Sequence, residues 1–219
     1  MIMGNNVKKD KKAIIGKCRE MVSLGLTLGT WGNISICSPD RGFIVITPSG
    51  RGYDRIDTED LIRVDMEGNI LEGRYRPSIE TPLHLEIYKK RDDVSAIVHT
   101  HSIFATAAAV ARTAIPAVTE ELAQVAGGQV LVADYALPGS PELALHTVNA
   151  LGSRNAVLLA NHGVVGVGSD IEEAFQVCRV VERAALVYAY ARMFGQPIAL
   201  SEEDIQAMSQ FYRTVYRQE

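Results

Sequence analysis

Ala96-Ile97-Val98-His99-Thr100-His101-Ser102 is an apolar run of three that ends in two histidines spaced two apart. An uninterrupted apolar run of this length predicts a buried strand. Side chains two apart along a strand share a face, so the imidazoles of His99 and His101 are expected side by side, as two ligands of one metal ion would be. Alone, H-x-H is equally well read as two histidines hydrogen-bonding at a strand end. The stretch Ala156-Val157-Leu158-Leu159-Ala160 is a second buried-strand pattern, and it runs into Asn161-His162-Gly163. The chain has only five histidines, and three of them end these two patterns. Three histidines with a fourth position open are the donor set of a catalytic site for zinc or another divalent ion, rather than of a closed structural one.

Working outward, 219 residues with 47% apolar content are enough to bury a sizeable core, and a single domain over 1–219 is the expectation. The formal charge of −4 and the absence of a Lys/Arg block argue against a nucleic-acid partner. Lys8, Lys9, Lys11 and Lys12 read as the solvated face of a first helix over Lys8–Leu24. Three widely spaced cysteines suggest neither a disulfide framework nor a metal knuckle. No stretch is apolar for the roughly 18 residues of a spanning helix and no signal-peptide pattern opens the chain, so no membrane association and a cytoplasmic location are expected.

Two glycine-bearing turns, Leu28-Gly29-Thr30-Trp31-Gly32-Asn33 and Thr47-Pro48-Ser49-Gly50, fall at the ends of adjacent strand patterns. Turn N–H groups and hydroxyls of this kind form anion cradles, and equally form ordinary hairpin turns. Trp31 reads as core packing. Thr81-Pro82 reads as an N-cap with proline at the first helical position, which places Glu80 before a helix N-terminus as a capping carboxylate or a working one. Ile115–Val118 reads as an extended piece leading into Thr119-Glu120-Glu121-Leu122. Ser169-Asp170-Ile171-Glu172 reads as a capping box opening the longest helix. A last helix from Ser201 carries Tyr212 and Tyr216. Strands alternate with helices while hairpins outnumber crossovers, which predicts a mixed, largely antiparallel central sheet between helical layers.

The ordered set G-T-W-G-N-I-S, T-P-S-G, P-S-I-E-T-P-L-H, H-T-H-S and N-H-G resembles the class II aldolase/adducin family over essentially the whole chain. That resemblance implies a three-layer α/β/α sandwich and a Zn2+ or similar divalent ion on His99, His101 and His162. It implies Glu80 as catalytic acid/base, and a substrate phosphate held by Thr30, Asn33, Ser49, Gly50 and Ser78. It further implies a homotetramer with active sites between subunits. The implied reaction is cleavage of a ketose 1-phosphate, such as L-fuculose 1-phosphate or a related deoxy-ketose phosphate, to dihydroxyacetone phosphate and an aldehyde. Other activities of the same scaffold are a methylthioribulose-1-phosphate-type dehydratase, a sugar-phosphate 4-epimerase and a 3-oxo-acid phosphate decarboxylase. An adducin-like interaction domain would lack the metal histidines that this chain keeps. The chain departs from the family's aldolases at Ile79, which stands where they carry a second serine. It also lacks their tyrosine after the Ile-Pro-Ala segment, where Glu120 or Glu121 falls. Their C-terminal active-site tyrosine corresponds to Tyr212 or Tyr216.

Overall fold

The computed structural model describes residues 2–216. Strands β1 (Asn33–Cys37), β2 (Phe43–Ile46), β3 (Ile62–Asp65), β4 (Ile70–Glu72), β5 (Ala96–Thr100), β6 (Leu131–Ala133), β7 (Ala156–Leu159) and β8 (Gly163–Gly168) form one sheet. Its order is β4-β3-β2-β1-β5-β8-β7-β6. Only the β6–β7 pair is parallel. The helices are α1 (Ile2–Ser23), α2 (Thr81–Lys90), α3 (Ile103–Val110), α4 (Glu120–Ala126), α5 (Pro141–Leu151), α6 (Ile171–Phe194) and α7 (Glu202–Phe211).

Alternation along the central strands builds the layers. Ile97, Val157, Leu159, Val165 and Val167 face α2 and α5, while Ala96, Val98, Ala156, Leu158 and Val164 face α1, α3, α4 and α6. Both faces of β5 are therefore buried, which is why its sequence is continuously apolar rather than alternating. Each fully buried Val or Ile there contributes about 1.5–3 kcal/mol. The result is the three-layer α/β/α sandwich with a largely antiparallel sheet. His99 has the parity of Ile97, so it faces α2, the helix that Glu80 precedes.

Several local expectations are corrected. The first helix begins at Ile2, and Lys11 is turned inward to Glu72 (2.8 Å) instead of lying on a solvated face. Thr119-Glu120-Glu121-Leu122, to which the sequence reading assigns no element, opens a helix, α4, because the Thr119 side chain caps it by accepting from Leu122 N–H. The cap of α6 lies one residue later than Ser169 and Glu172 predict. Asp170 accepts from Glu173 N–H, and Glu173 in turn accepts from Ser169 N–H and Oγ–H. The N-cap of α2 is Glu80 rather than Thr81, with Pro82 in the first turn. No helix is long and apolar enough to cross a membrane among the described residues.

Candidate metal centre and active site

β5 delivers His99 at its end and His101 just beyond it, and the β7–β8 turn delivers His162. Their ligating nitrogens lie within 4.8 Å of one another, and each pair of ring centroids is 4.8 Å apart. Interplanar angles of 63°, 75° and 88° set the rings edge-on around a common point instead of stacking them.

The backbone around each ring explains its aim. His99 Nδ1 lies 3.0 Å from the Val164 carbonyl, which can only accept. Its proton is therefore on Nδ1 and Nε2 carries a bare lone pair. That lone pair sits 2.9 Å from His101 Nε2 and 3.2 Å from Glu80 Oε2. His101 N–H donates to the Leu26 carbonyl (3.0 Å). The helix that follows it is anchored by Glu182, which accepts from the N–H groups of Phe104 (3.0 Å) and Ala105 (2.8 Å). Asn161 adopts a left-handed conformation (φ 57°), one that Asn tolerates, and its side chain accepts from Arg112.

Burial above all, then the neighbouring imidazoles, hold His101 down at about pKa 3 against the opposing pull of Glu80. Burial first, then His162, pushes His99 well below the usual imidazole range. Both rings are thus neutral ligands at neutral pH, and the contact between His99 and Glu80 is not an ion pair. Neutral nitrogens and a carboxylate converging with lone pairs inward repel one another unless a cation lies between them. The convergence of three imidazole nitrogens within 4.8 Å of one another also suits one. The three histidines therefore fit a divalent ion.

Gly163 makes this convergence possible. A Cβ there would lie 2.3 Å from the Thr100 carbonyl oxygen, 3.2 Å from His99 Cε1 and 3.3 Å from His101 Cδ2. Gly163→Ala is expected to force β5 and β8 apart, at a cost of about 1–3 kcal/mol. It should also weaken metal binding beyond what that loss of stability explains. Thermal melts alongside metal titration check this, and wild-type affinity in the variant would show that the close approach is incidental.

Glu80 is 4% exposed and its side chain makes no capping bond. Oε2 accepts from Asn33 Nδ2 (2.8 Å), whereas Oε1 has no hydrogen-bond partner among the described residues and lies 3.6 Å from His162 Nε2. The carboxylate is thus turned from the helix end toward the histidines.

Among the residues expected to hold phosphate, Thr30, Ser49 and Gly50 are exposed, while Asn33 and Ser78 are buried. The Thr47–Gly50 turn is tied to the segment before Glu80 by a Pro48–Pro77 bridge and by Ser78 N–H to Thr47 O (3.0 Å). Ser49 N–H is spent on the Arg76 carbonyl (3.0 Å), so the hydroxyl and not this amide remains for an anion. Ser78 Oγ accepts from Glu80 N–H (3.2 Å). The other turn abuts the metal strand, since a Cβ on Gly32 would lie 2.6 Å from the His99 carbonyl oxygen. Trp31 is not in the core: it is 61% exposed, with its ring parallel to that of His101 at 6.5 Å.

The remaining candidates are not gathered here within one chain. Glu120 and Glu121 are exposed in the first turn of α4. Among the described residues, no hydrogen bond or ion pair joins either to the histidines. Tyr216 is exposed and stacks on Tyr212 (5.9 Å). Tyr212 lines a cleft with Asp93, Val94 and Asn155, at the start of β5 and about 17 Å of strand away from its histidine end. Sequence reasoning passed over Ser35, His84 and Tyr88, which join Asn33 beneath Glu80. The available signal was the E-x-x-x-H-x-x-x-Y spacing along one helix face.

Residues 12–189 match the model of the family described as Class II Aldolase and Adducin N-terminal domain. The chain is 36% identical over 203 residues to 5-deoxy-D-ribulose 1-phosphate aldolase of Bacillus thuringiensis serovar kurstaki, covering 93% of this chain and 95% of that protein. It is 33% identical over 204 residues to L-fuculose phosphate aldolase of Escherichia coli, covering 93% and 94%. A solved structure of an L-fuculose 1-phosphate aldolase superposes with a TM-score of 0.91 at 38% identity, covering 94% of this chain and 96% of that one. With the five motifs placed around one three-histidine centre on this sandwich, the chain belongs to the class II aldolase/adducin family.

Proposed function

We propose that the protein is a zinc-dependent aldehyde-lyase that cleaves a ketose 1-phosphate to dihydroxyacetone phosphate and an aldehyde. L-Fuculose 1-phosphate and related deoxy-ketose phosphates such as 5-deoxyribulose 1-phosphate are the substrates favoured, in keeping with the names of the relatives above. The observation that carries the reading is Glu80, a buried carboxylate whose side chain makes no capping bond and whose oxygens lie 3.2 Å from His99 Nε2 and 3.6 Å from His162 Nε2. A divalent ion held by His99, His101 and His162 would supply a Lewis acid against the negative charge that develops on substrate oxygens.

The chain's own residues do the rest. Thr30, Ser49, Gly50 and Ser78, with Asn33, hold the phosphate and fix the ketose relative to Glu80. As the C3–C4 bond breaks, the C4 hydroxyl gives up its proton and C4 becomes the aldehyde carbonyl. The electron pair stays with the C1–C3 fragment, and Glu80 delivers a proton to C3. In the synthetic direction Glu80 removes that proton. Glu120 or Glu121 and Tyr216 serve the aldehyde oxygen from a neighbouring subunit of a homotetramer. Leu28, Trp31, Ile79 and Ile103, all exposed and next to site residues in the chain, offer the apolar surface that such a neighbour would cover. A dehydratase working through Glu121 would leave the placement of Glu80 unused.

The test is to incubate zinc-loaded protein with a panel of ketose 1-phosphates and assay dihydroxyacetone phosphate. Release from at least one deoxy-ketose phosphate is expected, and no release from any member would defeat the proposal. For the phosphate turn, Ser49→Ala is expected to raise KM about tenfold or more for a phosphorylated substrate, since one hydrogen bond to a charged group is lost. Its unphosphorylated analogue should be unaffected, and equal losses for both would remove Ser49 from phosphate binding.

A further inference from the structure

Behind Glu80 lies a row of buried polar side chains, and the reaction outlined above gives no part to His84, Tyr88 or Ser35 among them. Glu80, His84 and Tyr88 stand four apart on α2, and Asn33 and Ser35 stand two apart on β1. Four helical residues rise about 6 Å and two strand residues about 6.6 Å, so the two rows interdigitate in step. None of the five is more than 4% exposed.

The hydrogen bonds between them have one polarity. An ionised Glu80 can only accept, so Asn33 turns Nδ2 toward it (2.8 Å) and Oδ1 toward His84 Nε2 (2.6 Å). His84 must then carry its proton on Nε2, and Nδ1 accepts from Ser35 Oγ–H (2.6 Å). Tyr88 closes the row as donor, 2.8 Å from Ser35 Oγ and 3.1 Å from the Ser35 carbonyl. Burial keeps His84 neutral, with a pKa of about 4. No flip of one member is neutral for the others. An Asn33 rotated by 180° would set its carbonyl against the carboxylate, and the opposite tautomer of His84 would demand that rotation.

We infer that Asn33 and His84, backed by Ser35 and Tyr88, are positioning residues that give the two oxygens of Glu80 different tasks. Oε2 is the atom anchored by Asn33, and Oε1, which is turned toward His162 Nε2 (3.6 Å), is the atom that exchanges a proton with the substrate carbon. The inference rests on the aldolase reading above and goes beyond it, because it names what holds the acid/base in line. A displaced carboxylate should slow proton transfer without weakening substrate binding, since misplacement of about 1 Å can cost a hundredfold in rate.

The experiment follows hydrogen–deuterium exchange at the hydroxymethyl carbon of dihydroxyacetone phosphate in D2O, using metal-loaded protein and no aldehyde. In that half-reaction a C–H bond breaks, the proton passes to Glu80, is replaced from solvent and returns as deuteron. His84→Leu is expected to exchange at least about tenfold more slowly than wild type, with KM within about threefold and metal content unchanged. His84→Gln should recover most of the rate, because its amide N–H can stand where Nε2–H stood. Ser35→Ala removes a single buried hydroxyl and should slow exchange several-fold, which tests the chain even if His84→Leu fails to fold. Exchange at the wild-type rate in Ser35→Ala and in folded His84→Leu would overturn the inference. A loss in His84→Leu that His84→Gln does not recover would reduce His84 to packing and overturn it too. Failure of wild-type protein to exchange at all would sink the aldolase reading instead.

Discussion

Glu80→Gln is expected to yield a folded, metal-loaded protein that binds ketose phosphate and turns it over at least about a hundredfold more slowly than wild type. The magnitude separates two roles. Loss of a helix cap costs about 0.5–2 kcal/mol of stability and leaves chemistry largely intact. Loss of a general acid/base costs roughly 10²–10⁴-fold in rate with the fold retained. The Glu80 side chain makes no capping bond, so the stability cost should be small here. Gln can still accept from Asn33 through its amide oxygen, which keeps the side chain in place. It cannot take a proton at neutral pH, so the loss should fall on turnover and not on KM. Melting temperature, metal content and steady-state kinetics on one preparation decide the matter. Near wild-type turnover would remove Glu80 from the mechanism and favour a dehydratase working through Glu120 or Glu121.

His162→Ala is expected to abolish stoichiometric binding of a divalent ion, and with it activity. Removing an outer-shell partner of a metal site typically costs 10–100-fold in affinity, and removing one of three protein donors should cost more. His162 stands on the β7–β8 turn, away from the packed core, so the sheet should survive its truncation. Chelator-treated wild-type protein should be inactive and regain activity on addition of a divalent ion, while the variant should not. Metal analysis after dialysis provides the readout. Undiminished stoichiometric binding in His162→Ala would mean that the three histidines are not the ligand set.

Much of this centre was legible in the chain because strand periodicity is local. Two residues apart means one face, and an apolar run ending in histidine means an imidazole at the edge of a buried strand. His99, His101 and His162 could therefore be read as a candidate metal set with no knowledge of which strands pair. Hairpins outnumbering crossovers likewise led to the largely antiparallel sheet, and the ordered motifs to the sandwich. Small local features were misplaced by a residue, as at the caps of α2 and α6; at α6 the reason is that Asp170, next to Ser169, can accept a first-turn N–H as well as a serine can.

Other features depend on contacts between distant residues, which no local period encodes. Whether Glu80 caps its helix or turns to the histidines is decided by β1 pairing with β5, which sets Asn33 opposite His99 and beneath α2. The same register puts Ser35 under His84 and Tyr88, turning an unremarked helix face into a polar row. Trp31 lies outside the core because Gly32 brings its turn against the end of β5, leaving the indole over His101. The C-terminal tyrosines lie away from the histidines because α7 packs on α4 and Tyr212 enters the cleft at the start of β5, so nothing among the described residues delivers Tyr216 to the histidines. Local patterning determined which residues could be ligands. Strand register and the return path of the helices decided which partners they meet, since hydrogen bonds between residues 47 or 51 positions apart exist only once the layers are stacked.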